Sequence, residues 1–287
     1  VTQALTDLVK LLSLHAEDEG VFVGNSQDLG FKQLFGGQVL GQCVSAASQM
    51  INFEKSIHSI HGYFLRPGDS QLQVEYQVNI VRESRNFIAV QVTAVQSDCA
   101  IFVCYASFQN KEEGFHHQID MPDVLPPDQL KNEVELAGEA IHLLPEAIKL
   151  SVLSQKPLDI RPVSARNPLL TEKRDPIQCI WFRANGYVPK QDFLQQSLLG
   201  YASDFNLLTT SMLPHSVSIW QPTMQVASLD HALWFHEKID LNDWLLYSIE
   251  SPWSGKGRGF SRANIFNRQG VLVASVAQEG LIRKRRS

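Results

Sequence analysis

One carboxylate stands apart in this chain: between Phe193 and Leu229 the only Asp, Glu, Lys or Arg is Asp204. A carboxylate held partly out of water has its pKa pushed up, which suits it to general-base work. At helical spacing Asp204 would neighbour Gly200, Tyr201 and Leu208, beside an apolar stripe of Leu198, Ala202, Phe205 and Met212. The competing reading is a solvated aspartate on a helix surface. Gln278 closes an alternating run and shares a face with Leu272, Ala274 and Val276. A buried amide there is either satisfied locally or aimed at a ligand. Ser228 precedes His231 on another strand-like run, and no serine in the chain sits in a Gly-x-Ser-x-Gly elbow, which disfavours a serine nucleophile. His58-x-x-His61 looks like a metal pair. On a strand, however, residues at that spacing point to opposite faces, and no third ligand is suitably placed, so no metal site is expected. His116-His117 reads as solvated.

The elements that must carry these residues occur twice. The runs opening at His61-Gly-Tyr-Phe-Leu-Arg66 and His231-Ala-Leu-Trp-Phe-His236 lie about 170 residues apart and follow the same order of strands and turns. At that offset the counterpart of Ser228 is His58. Each run follows a helix-like segment, 36–50 in the first half and 194–213 in the second. In the first helix Val39, Leu40, Cys43, Val44, Ala47, Met50 and Ile51 share a face, and the small residues between them suit a helix wrapped by a sheet. Strands are expected at 57–65, 72–82, 87–96 and 100–109, then at 177–183, 224–235, 244–251, 259–267 and 271–278. Helix followed by antiparallel meander is an α+β layout. The expected units are 1–115, a proline-bearing linker at 116–160 with a helix over 129–150 interrupted at Pro145, and 161–287. Gly255-Lys-Gly-Arg-Gly259 is a turn and a weak phosphate-loop candidate, since no helix follows it.

With 44% hydrophobic and 19% charged residues, the 287-residue chain has the composition of a globular protein. A formal net charge of -5 gives no global attraction to nucleic acid or an anionic membrane. The one basic block, Arg283-Lys284-Arg285-Arg286, reads as a solvated tail rather than a phosphate-binding element. Cys43, Cys99, Cys104 and Cys179 lack zinc-type spacing and suit reduced thiols in a cytosolic protein. No signal peptide, peroxisomal address or uncharged run of about 20 residues is visible, so a cytoplasmic protein without membrane insertion is expected.

Five strings together carry a family likeness. Phe35-Gly36-Gly37-Gln38-Val39, His61-Gly-Tyr-Phe-Leu-Arg-Pro-Gly-Asp69, Leu199-Gly-Tyr-Ala-Ser-Asp204, Asp230-His231-Ala-Leu-Trp234-Phe-His236 and Gln278-Glu-Gly resemble the acyl-CoA thioesterase II family, and the likeness covers essentially the whole chain. The resemblance implies a double hotdog: two long helices, each wrapped by antiparallel strands, with the sheets joined edge to edge. It also implies a catalytic trio, falling here on Asp204, Ser228 and Gln278. Many members carry Thr at the middle position; Ser keeps the hydroxyl with a freer rotamer.

The expected reaction is hydrolysis of a fatty acyl-CoA by water that the trio holds and activates, with no cofactor, metal or covalent intermediate. Gly36-Gly37-Gln38 is the candidate source of oxyanion donors, because glycine permits close approach and helix N-termini favour negative charge. Gly37, Gln38 and His58 are therefore the candidate oxyanion or substrate-binding residues. A homodimer or homotetramer is the expected assembly. Two rivals are a hotdog hydratase, for which His58 could be argued, and a non-catalytic acyl-CoA-binding module, which would not need the trio.

Overall fold

The computed structural model of the protein describes residues 2–30, 33–53, 55–139, 155–165 and 172–285. In the first half α1 (Gln3–Leu12), β1 (His15–Asp18) and β2 (Val21–Gly24) precede α2 (Gly36–Met50), and β3 (Ser56–Phe64), β4 (Val74–Glu83), β5 (Phe87–Gln96) and β6 (Cys99–Gln109) follow it. After α3 (Glu133–Glu139), the second half contains β7 (Leu158–Pro162), β8 (Ile177–Ala184), α4 (Asp192–Ser203) and α5 (Leu207–Thr210). It ends with β9 (Met224–Ser228), β10 (Asp230–Phe235), β11 (Leu245–Gly255), β12 (Arg258–Asn267) and β13 (Leu272–Lys284).

Among the described residues all strand pairs are antiparallel and form one 13-stranded sheet in the order β1-β2-β4-β5-β6-β3-β10-β13-β12-β11-β8-β7, with β9 on β13. The halves meet through β3 and β10, where Ile60 pairs with Leu233. This is the double hotdog: α2 lies against β3–β6, and α4 packs on α2 and over β3 and β10, where the halves meet.

Every residue of α2 from Gly37 to Ser48 is buried, as its apolar face and small residues require. The two long helices run antiparallel and nearly touch. A Cβ on Gly41 would lie 2.7 Å from the Ser197 carbonyl oxygen, and one on Gly37 would lie 2.4 Å from that of Tyr201. Glycine at one-turn spacing therefore sets the helix separation. The antiparallel arrangement brings the C-terminus of α4 to the N-terminus of α2. One core spans both halves. A smaller cluster of Trp181, Trp244, Leu246 and Phe266 is covered by Met121, Val124 and Leu130 of the linker, and Trp181 Nε1 donates to the Leu125 carbonyl at 2.9 Å.

Several elements differ from the sequence expectation. The β1–β2 hairpin is additional and extends the sheet from β4. The second helix does not run through to 213: α4 ends at Ser203, Asp204 is its C-cap, and Asn206 adopts the left-handed region (φ 62°) before α5. Asparagine tolerates that conformation better than most residues. The expected strand at 224–235 breaks at Leu229, whose N–H bonds the Glu279 carbonyl and whose carbonyl accepts from Phe64 N–H. Gln278 lies within β13, not at its end, and Arg283, Lys284 and Arg285 of the basic block are exposed but not a loose tail: β13 continues to Lys284, paired with Met224. In the linker the described helix begins at Glu133 rather than at 129, and Leu158–Pro162 already pairs with β8. The rest of the expected linker helix and Pro145 lie outside the described residues.

The repeat is out of phase with its sequence offset by one residue. In both halves a register shift interrupts the central hairpin at the same place, after Ala94 in one and after Ile265 in the other. Counting back from it, the pair Val90↔Ala106 stands where Ser261↔Gln278 stands. By the same alignment Ile57↔Phe108 corresponds to Ser228↔Gly280. Ser228 thus corresponds to Ile57, and His58, at the register shift of β3, corresponds to Leu229 at the strand break. A slip of one residue reverses the face: His61 is exposed while His231 is buried.

Candidate active site

Asp204, Ser228 and Gln278 come from three elements, and the fold brings them together. Asp204 caps α4 at the helix crossing. Gln278 faces inward from β13 and is fully buried, and Ser228 ends β9 directly across from Gly280. Gln278 Nε2 donates to Asp204 Oδ1 at 2.7 Å and to Ser228 Oγ at 3.1 Å. It also lies 3.1 Å from His231 Nδ1. Three acceptors thus surround an amide nitrogen that carries only two hydrogens. The amide cannot be reversed, because that would turn its oxygen toward the carboxylate.

The environment of Asp204 sets its charge behaviour. Its side chain is 7% exposed. Phe35, which stacks against Tyr201 and Phe205, and Phe64 beside Gly36 form its apolar surroundings. Burial raises its pKa above the ordinary carboxylate value, and hydrogen bonds from Gln278 and the Gly37 backbone N–H oppose the rise. A Cβ on Gly36 would lie 2.8 Å from Asp204 Oδ2 and 2.9 Å from the Phe64 ring. The carboxylate can meet the N-terminus of α2 only because glycine stands there, and the helix dipole favours its negative form. Of the three side chains Gln278 is fully buried, while Ser228 is half-buried.

His231, which the sequence reading used only as a marker of the repeat, also belongs to this cluster. It is 1% exposed, and burial drives its pKa down to about 3. It is therefore neutral at neutral pH, and its 3.8 Å approach to Asp204 is not an ion pair. The network assigns its tautomer. Nδ1 faces the Gln278 amide hydrogens, so Nε2 carries the proton and donates to Ser203 Oγ at 3.0 Å, while Ser203 donates to the Gly200 carbonyl at 2.9 Å. The missed signal was parity: with the strand broken at Leu229, His231 points inward.

The other three candidates are placed differently from one another. Gly37 is at the site, with its N–H directed to Asp204. Gln38 is buried in a separate network, where its amide donates to the Asn25 carbonyl at 3.1 Å and to Gln42 Oε1 at 3.1 Å. His58 lies toward the opposite end of β3 from Phe64, bonded to Ser107 Oγ at 2.8 Å. Among the described residues no group of three or more His, Cys, Asp or Glu is placed to hold a metal ion, and no helix is long and apolar enough to cross a membrane.

Comparison with known proteins gives the family. The family model described as "Acyl-CoA thioesterase" matches residues 151–281, and that described as "Acyl-CoA thioesterase N-terminal domain" matches residues 26–109. The chain is 42% identical to Acyl-CoA thioesterase 2 of Haemophilus influenzae, covering 99% of both proteins. It is 36% identical to human Acyl-coenzyme A thioesterase 8 over 95% of this chain and 88% of that protein. Among solved structures, the acyl-CoA thioesterase II TesB2 from Mycobacterium marinum superposes with a TM-score of 0.78 at 33% identity, covering 97% of this chain and 98% of that one. Family models on both halves, full-length relatives and a common architecture agree: the chain belongs to the acyl-CoA thioesterase II family.

Proposed function

We propose that the protein hydrolyses fatty acyl-CoA thioesters to free fatty acid and CoA, using a water activated by Asp204, Ser228 and Gln278. The observation that carries this reading is the convergence of a desolvated carboxylate, an amide and a hydroxyl within 3.1 Å bonds at a helix N-terminus. Ser228 accepts from Gln278 and keeps its own O–H hydrogen to donate; with that hydroxyl on a water oxygen, the amide N–H that reaches Ser228 can swing to the same oxygen while Asp204 accepts the water's proton. The water oxygen then bonds to the thioester carbon. As Asp204 becomes neutral, its hold on the Gly37 N–H weakens and that donor is released toward the oxyanion. When the tetrahedral intermediate collapses, the C–S bond breaks and the proton on Asp204 passes to the leaving thiolate. No covalent enzyme intermediate is needed, and no cofactor takes part.

Two neighbouring features bear on the rest of an acyl-CoA. An apolar pocket beside Asn206, lined by Ile180, Phe182, Phe205 and Tyr247, has a cavity volume of only about 10 Å³, so it would have to widen to take the acyl chain. At the end of β13 a groove lined by Lys256, Arg283, Lys284, Arg285 and Gln225 offers cations for the CoA phosphates. A strand rises about 3.3 Å per residue, so these cations lie within reach of an extended pantetheine arm. The test is release of free thiol from palmitoyl-CoA. A hydratase or a binding module would release none. In a double-mutant cycle, Ser228→Ala and Gln278→Ala should each lower kcat far more than they weaken substrate affinity, and together be little worse than the poorer single variant. Strictly additive losses, or losses confined to affinity, would assign these side chains to the acyl pocket instead.

A further inference from the structure

Among the described residues two buried side-chain polar atoms have no hydrogen-bond partner, Ser261 Oγ and Gln278 Oε1. They are not scattered. Ser261 on β12 pairs directly with Gln278 on β13, both side chains are fully buried, and residues so paired share a face with Cβ atoms about 5 Å apart. One is a hydroxyl that can donate, the other a carbonyl that can only accept. Buried polar groups are almost always partnered, so a complementary pair of exceptions at adjacent positions is unexpected by chance. The first half shows that the hairpin does not need them to fold: Val90 and Ala106 occupy the same places, both buried and apolar.

We propose that Ser261 is a positioning residue for the reaction, its O–H closing the Oε1 end of the Gln278 amide, directly or through one water. This would fix the amide so that Nε2 stays on Asp204 and Ser228. A serine at this position has no reason to touch substrate, since Gln278 stands between it and the carboxylate. It acts through the amide alone. The inference rests on the reading of Gln278 as one of the groups that hold the attacking water.

The test is a cycle of Ser261→Ala, Gln278→Ala and the double variant, with kcat and KM read separately from thiol release. Alanine is smaller than serine and an apolar side chain already stands at the equivalent place, so Ser261→Ala should fold with an unchanged or higher Tm. Its kcat should fall about tenfold while KM stays the same, the size of coupling expected between groups in one network. In the Gln278→Ala background the same substitution should change nothing. Wild-type kcat in Ser261→Ala, or an equal loss in both backgrounds, would overturn the proposal. Wild-type kcat in Gln278→Ala alone would instead sink the water-holding reading, and the role of Ser261 with it.

Discussion

The two halves share a hairpin, a register shift and a buried helix, yet at matching inward positions they carry different chemistry. Where the second half has Ser228, His231, Ser261 and Gln278, the first has Ile57, Ile60, Val90 and Ala106. All four first-half residues are buried and apolar, so at these positions that half shows the scaffold without polar side chains. Buried polar groups cost stability unless they are partnered, and at these four positions the second half bears that cost. The first half is still not a bystander. It supplies Gly36 and Gly37, whose helix N-terminus receives Asp204, and Phe64, which shields it. The candidate site thus spans the junction, with polar side chains from one repeat and a backbone donor from the other. Duplication lets one copy stay apolar at these positions while the other specialises.

This contrast can be broken experimentally. Giving the second half the residues of the first, Ser228→Ile with Gln278→Ala, should lower kcat at least about 100-fold, the scale of losing the groups that position and activate a water. The protein should still fold, with a Tm no lower than wild type; an active product would show that the polar cluster is incidental. A smaller effect is expected at the substrate's other end. Lys256→Glu with Arg283→Glu should raise KM for palmitoyl-CoA about tenfold, as for the loss of a few charge contacts, and leave kcat alone. The same variant should handle palmitoyl-pantetheine, which lacks the nucleotide phosphates, like wild type. Equal defects on both substrates would remove the groove from the account. The smallest effect belongs to His58→Ala. With its partner Ser107 far from Asp204, turnover should stay within about twofold of wild type, in the range of surface and peripheral substitutions. An inactive but folded His58→Ala protein would move the chemistry to the first repeat.

Much of this was legible in the sequence, for reasons that can be named. The α2 segment announces itself by helical apolar spacing with glycine at one-turn intervals, and β5 by strict alternation. Asp204 stands out because no other carboxylate or cation occurs near it in the chain. What sequence could not supply was phase. The eye aligns His61 with His231, but the pairing aligns Ile60 with His231, and a one-residue slip reverses every side chain. That slip hid both the place of His231 beside Asp204 and Gln278 and the position of His58 outside that cluster. The helix break after Ser203 was equally hidden, because Asn206 in the left-handed region is settled by tertiary contacts such as the 3.1 Å bond from Gln178 to its carbonyl. Gln38 shows the opposite limit. Next to two glycines at a helix start it suited a ligand site, yet the β1–β2 region turned it into a buried lock with Asn25 and Gln42.

The pH profile of thiol release reflects the same electrostatics. As a base, Asp204 works only when ionised, so kcat should rise with pH through a pKa that burial has raised above the ordinary carboxylate value. His231, held neutral with a pKa of about 3, should add no limb near neutrality. The most direct measurement is therefore kcat of Asp204→Asn on palmitoyl-CoA, taken beside its Tm and its affinity for substrate. The account predicts a folded protein that binds palmitoyl-CoA normally and turns it over about 100-fold more slowly or worse, with the acid limb abolished. A folded Asp204→Asn protein with near-wild-type turnover and an unchanged pH profile would contradict it.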